Sequence, residues 1–184
     1  METKMRKYIL SKGLILGGIT SVLLLLQYVI DRNLLLNWWT GIIVGTGIPI
    51  VYIVFAVRAY REKLNESYLE FKEAFSVSFG ISAVMAFVYA FTSILLYNVI
   101  DPSMVDFMVD GIQNEMLEWM ESFNTPKEEI DKAMRDMGQI SEGFKPLGLL
   151  KSSCWGLTLW AVLSLLIAAA TKKARPMFDD DTLN

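Results

Sequence analysis

The sequence predicts an all-α protein: a four-helix transmembrane bundle with an extracytoplasmic amphipathic helical hairpin between spans three and four. Three observations carry that expectation. In a chain of 184 residues that is 53% hydrophobic, the apolar residues are gathered into long blocks rather than dispersed at helix or strand period. Four blocks, roughly 13–30, 38–57, 75–99 and 147–170, match the length of about 20 residues that a membrane helix needs. Between the third and fourth lies YNVIDPSMVDFMVDGIQNEMLEWMESF (97–123), which begins as the tail of an apolar segment and continues as an acidic, Met-rich helix unable to sit in lipid.

The first block follows a basic start (Lys4, Arg6, Lys7, Lys12), but its apolar run exceeds that of a secretory signal and no small-residue cleavage pattern follows. It is expected to be a retained span. Gly13 and Gly17 form a G-x-x-x-G in it, as do Gly41 and Gly45 in the second block, a spacing that lets two helices approach closely. Contact within one chain is the expected use, ahead of a dedicated dimer seam. In GTGIP, Pro49 stands in mid-span and should kink the second helix. The connection REKLNESYLEFKEAF (61–75) sets Leu64, Tyr68, Phe71 and Phe75 at helical spacing, with Glu62, Glu66, Glu70 and Glu73 on other faces. It predicts a short interfacial helix.

Lysine and arginine counts predict orientation. The N-terminal tail and the 58–74 connection hold four each and the C-terminal tail three (Lys172, Lys173, Arg175), whereas the 31–37 turn has only Arg32. Both termini are therefore expected in the cytoplasm. The 100–146 segment, outside, holds eleven acids against Lys127, Lys132, Arg135 and Lys145, a net charge of −7. Within this segment Asp101-Pro102 is a helix start, aspartate as N-cap and proline at N1. The helix that follows, to about Phe123, collects Met104, Val105, Met108, Val109, Ile112, Met116, Trp119, Met120 and Phe123 on one face, opposite Asp106, Asp110, Glu118 and Glu121. Thr125-Pro126-Lys127-Glu128 reads as a capping box opening a second helix to about Ser141, with Ile130, Met134, Met137 and Ile140 in a stripe. The two stripes are expected to bury each other, the hairpin leaning on the span ends or on a second copy.

Little of this carries chemistry. The chain has no histidine, which removes the usual general base and metal ligand. Its one cysteine, Cys154, can form neither an internal disulfide nor a structural zinc site. No carboxylate pair lies inside a span, where acid–base or proton-relay work would need one. No catalytic residue, cofactor or metal is assigned. Asp106, Asp110, Glu118 and Glu121 are read first as a solvated face and second as a surface for a basic partner or a cation. The methionines could tempt a Cu(I) reading, but Met104, Met108, Met116 and Met120 spread around the helix and suit packing better. Lys151 is expected to snorkel, and Trp38, Trp39 and Trp155 to anchor at the interface.

From the glycine-bearing first span, through SYLEFKEAFSVSFGI entering span three and LYNVIDPSMVDFM leaving it, to the final AAATKK, the whole chain resembles a family of bacterial membrane proteins catalogued as domain of unknown function four-one-nine-nine. The resemblance implies a four-span inner-membrane protein with an outer helical insertion and brings no activity, cofactor or site residue. The expected function is a non-enzymatic interaction, assembly or regulatory component acting through the acidic hairpin, with the bilayer, a membrane or extracytoplasmic protein, or a second copy as partner, and no nucleic acid. The alternative is a small oligomeric transporter or channel subunit for cations or small solutes, motivated by Gly45 to Pro49 and by an acidic vestibule that would concentrate cations.

Overall fold

In a computed structural model describing residues 2–64, 68–137 and 140–173, the chain is helical almost throughout. Four segments are long and apolar enough to cross a membrane: Thr3–Ile30, Trp38–Lys63, Phe71–Ile100 and Pro146–Thr171. Each runs past its apolar block because the polar flanks continue the same helix. The elements are α1 (Glu2–Ile30), α2 (Asn33–Leu36), α3 (Trp38–Ile42), α4 (Ile48–Leu64), α5 (Phe71–Leu95), α6 (Ser103–Ser122), α7 (Lys127–Asp136), α8 (Ile140–Gly143) and α9 (Pro146–Thr171). Single π-helical turns, Ile43–Gly47 and Leu96–Ile100, join α3 to α4 and extend α5. One end of the bundle, here the terminal end, holds the start of α1 and the end of α9; the other, the insertion end, holds the 31–37 turn and the segment 101–145.

Helix α5 is the centre, packed along α1 on one side and α9 on the other. Glycine explains the first contact. A Cβ on Gly13 would lie 2.5 Å from Val84 Cβ, and one on Gly17 would lie 2.7 Å from Val88 Cβ, so both must lack one for the backbones to meet. Gly80 of α5 does the same for Ile9. Serine serves the second contact: Ser78 and Ser82 of α5 and Ser164 of α9 are fully buried, the Ser78 hydroxyl donating to the carbonyls of Phe75 (3.1 Å) and Ser164 (3.4 Å). The other G-x-x-x-G behaves differently. Gly41 and Gly45 would each place a Cβ in open space.

Span two explains why. Pro49 has no N–H to give the Gly45 carbonyl, and its ring would press on that carbonyl in a regular helix. Widening the preceding turn to i→i−5, as in the bond from Ile48 N–H to the Ile43 carbonyl, relieves the clash. The expected irregularity at Pro49 is thus a π turn just before it. Beyond that turn, α4 buries Ile53, Ala56, Val57 and Tyr60 with Leu16, Val77, Ile81, Trp160 and Ile167. Before it, no residue from Trp38 to Gly47 is buried.

The terminal end is tied down by polar contacts as well. The Tyr8 hydroxyl donates to the Ala56 carbonyl at 2.7 Å, and Arg61 Nη1 donates to the Thr171 carbonyl at 3.1 Å, supplying charge and a donor where α9 ends. The expected interfacial helix over 61–75 is not formed: α4 ends at Leu64, and Leu69, fully buried, exchanges two backbone hydrogen bonds of 2.8 Å with Lys173. Leu69 wins burial in the core by leaving the helical path, which the stripe of Tyr68 and Phe71 could not signal; Glu66 lies outside the described residues.

Candidate functional site

The insertion end begins at the second π turn, closed by Asp101 N–H donating to the Leu96 carbonyl at 2.9 Å. Pro102 follows and α6 starts. The helix starts one residue later than expected, with Pro102 in the N-cap place, yet Asp101 still serves its first turn: Oδ1 accepts from the Ser103 N–H (3.2 Å) and hydroxyl (2.6 Å). Its other oxygen, Oδ2, accepts from the Tyr28 hydroxyl at 3.0 Å and pairs with Arg32 Nη2 at 3.2 Å. The bonds from Ser103 and then Tyr28, with the Arg32 charge beside them, hold the Asp101 carboxyl below its ordinary range. Asp101 thus joins the end of α1 to the start of α6. Its cap role was readable from Asp-Pro; Tyr28 and Arg32 were not, although Arg32 standing alone in its turn was the available signal.

Helix α6 then lies across the span ends. Met104 and Met108 are buried among Leu24, Leu96 and Tyr97, and Phe144 closes the cluster with its ring 5.4 Å from Tyr97 in a T-shaped pair. Asn98 Nδ2 fixes that connection by donating to the Phe144 carbonyl at 3.0 Å. One turn on, Gly111 sits against the Leu36 side chain of α2, with no room for a Cβ. Past Gly111 the helix leaves the bundle. Its apolar face continues as Met116, Trp119 and Phe123, exposed by 39%, 61% and 67%.

The mutual burial expected of the hairpin is therefore replaced, over the first half of α6, by burial against the spans. The turn to α7 is made by Asn124 at φ 53°, a left-handed cap with Thr125 N–H donating to the Met120 carbonyl and Asn124 N–H to the Glu121 carbonyl. The expected capping box is not what starts α7: Pro126 occupies the N-cap place, without a side-chain bond. Helix α7 is formed over Lys127–Asp136 and a further helical turn over Ile140–Gly143; residues 138–139 of the expected helix lie outside the described residues.

Asp106, Asp110, Glu118 and Glu121 are all exposed, strung along α6 as its periodicity predicts. Among the described residues, no three of His, Cys, Asp and Glu gather as a metal site would require. Lys151, Trp38, Trp39 and Trp155 are exposed as well, and the two adjacent tryptophans stack with ring centroids 3.9 Å apart. Where the Trp38–Gly47 half of span two stands off the bundle, a cavity of about 280 Å³ opens between α1, the first π turn, α5 and α9. Sequence reasoning missed this cavity; it took Gly45, on its wall, as a packing residue.

With this geometry in place, comparison with known proteins adds one match. Residues 12–173 fit the family described as "Protein of unknown function (DUF4199)". The chain belongs to the DUF4199 family. The match spans all four candidate membrane segments of this DUF4199 member apart from the first residues of α1. No curated protein and no solved structure matches it.

Proposed function

We propose that this DUF4199 protein is a non-enzymatic interaction component of the bacterial inner membrane, with both termini cytoplasmic, that engages a helical protein partner through the distal half of α6. The observation that carries this reading is the change in one continuous apolar face, buried at Met104 and Met108 and bare at Trp119 and Phe123. Trp119 and Phe123 pair edge to face, centroids 4.9 Å apart, and form an aromatic anchor of the kind that dominates contact surfaces. Glu115 stands one turn before Trp119 on the same side, and Glu118 and Glu121 line the opposite face; all three are exposed. So acidic a helix disfavours anionic headgroups, and it favours a partner helix that carries lysine or arginine beside its own apolar stripe.

The test is photo-cross-linking in living cells from probes at Trp119, Asp110 and Glu118, followed by mass spectrometry. A discrete heterologous adduct from Trp119, lost when Glu115, Glu118 and Glu121 are all changed to lysine, is the expected result. Self-adducts alone, or none, would sink the proposal.

The second reading, a small oligomeric transporter or channel subunit, draws on the π turn and Pro49 beside the cavity. Against it, the residues lining that cavity include no acid and no base, so an ion would find no counter-charge there.

A further inference from the structure

The cavity beside the first π turn offers a ligand very little polarity. It has hydroxyls on its wall, yet Thr20 donates to the Leu16 and Gly17 carbonyls, and Ser152 and Ser153 both donate to the Leu149 carbonyl. Those protons are spent within their own helices. The remaining wall is Met85, Ala86, Trp160, Tyr89, Val44 and two glycines. Gly45 and Gly156 both line the space, with nothing within 4 Å of where a Cβ would stand. Such a surface repels ions and binds water poorly, since a buried water needs two to four polar partners.

An empty cavity is also disfavoured inside a membrane. Its lining forgoes dispersion contacts that the same atoms would gain against any hydrocarbon, and hydrocarbon is the surrounding solvent. Ile43 of the π turn and Trp155 and Leu159 of α9, each next in sequence to a lining residue, are more than half exposed, which leaves that side open to the bilayer. A methylene is about as large as a water molecule in the liquid, so the space takes roughly nine of them, half to two-thirds of an acyl chain.

We infer that this cavity is a binding site for one acyl chain of a bilayer lipid, entering between the stand-off half of span two and α9. The chain completes the core that span two leaves unfilled, its end against Met85 and Trp160. This site is independent of the α6 contact surface.

The experiment uses the full chain in lipid nanodiscs containing a phospholipid with a diazirine in the middle of one acyl chain, followed by peptide mapping. Expected are adducts at Met85, Ala86 and Trp160, alongside background labelling at lipid-facing Phe91 and Leu166. Gly156→Phe fills the space and should cut the cavity adducts about tenfold or more, the equivalent of losing about two buried methylenes, while Phe91 and Leu166 label as before. Gly45→Leu, in the π turn rather than in α9, should do the same and serves if the first variant fails to fold. Absence of cavity adducts in the unaltered protein, adducts that persist in the folded variant, or equal labelling of the cavity by a water-soluble carbene precursor would overturn the assignment.

Discussion

At the terminal end, span two gives Ile53, Ala56, Val57 and Tyr60 to a core shared with α1, α5 and α9; at the insertion end it gives no buried side chain, and α6 supplies Met104 and Met108 to a different cluster. The same four spans thus hold together by helix packing at one end and by a helix laid across the span ends at the other. The difference teaches what a proline in mid-span accomplishes. With the i−4 carbonyl of Gly45 displaced into a π turn, the two halves of span two follow separate courses, and only the Pro49 side stays in the core. The insertion end then needs another tie, which Asp101, Tyr28 and Arg32 provide.

The widest gap between the two regions should appear in the two G-x-x-x-G pairs. Gly13→Leu or Gly17→Leu forces α1 from α5 and should destabilise the protein by about 3 kcal/mol, the upper range for overpacking, whereas Gly41→Leu and Gly45→Leu should fall within about 0.5 kcal/mol of the parent. Reversible unfolding in mixed micelles measures both, and equal costs would break the contrast. Next in size, Ile53→Ala should cost about 2 kcal/mol through the void it leaves, while Ile43→Ala, on the exposed side of the π turn, should cost a few tenths at most. A matching loss at Ile43 would show that the outer half of span two is packed after all.

Smaller effects sharpen the account of the insertion end. Asn124→Val puts a β-branched residue at φ 53° and should cost about 1–2 kcal/mol, confined to amide exchange in α7 and the last turn of α6. Exchange that rises equally along α1 and α5 would mean the insertion and the spans unfold as one unit. The smallest effect is expected at Asp101, which is solvent-accessible. Because its carboxyl titrates below the ordinary range in the folded chain, its contribution is complete above that range and is lost as pH falls through the lowered folded value. Amide protection at Met104 to Met108 should decline with acid in the parent and show no such step in Asp101→Asn. An unchanged acid step in the variant would assign the tie to another group.

Some of this was legible in advance for a local reason. Long apolar blocks force a backbone to satisfy its own hydrogen bonds, so four helices able to cross a membrane follow from composition alone. The amphipathic face of α6 and the cap at Asp101 depend on residues within a few positions of each other. Other features depended on partners far along the chain. Leu69, which was not part of the expected stripe, left the helical path to pair with Lys173; Arg32 and Tyr28 met Asp101 across some 70 positions, a separation shown by the Tyr28 bond at 73. No local pattern announces such meetings.

The two glycine pairs mark the boundary between the two kinds of knowledge. Their spacing is identical, and the sequence by itself determined that both lie on apolar helices with one small-residue face each. Only the tertiary structure decided that Val84 and Val88 stand against Gly13 and Gly17, while Gly41 and Gly45 face open space. The physical reason is that a helix face is set by the 3.6-residue repeat of one segment, whereas its neighbour is set by where the whole span points. For span two that direction turns on the carbonyl that Pro49 leaves without its N–H partner.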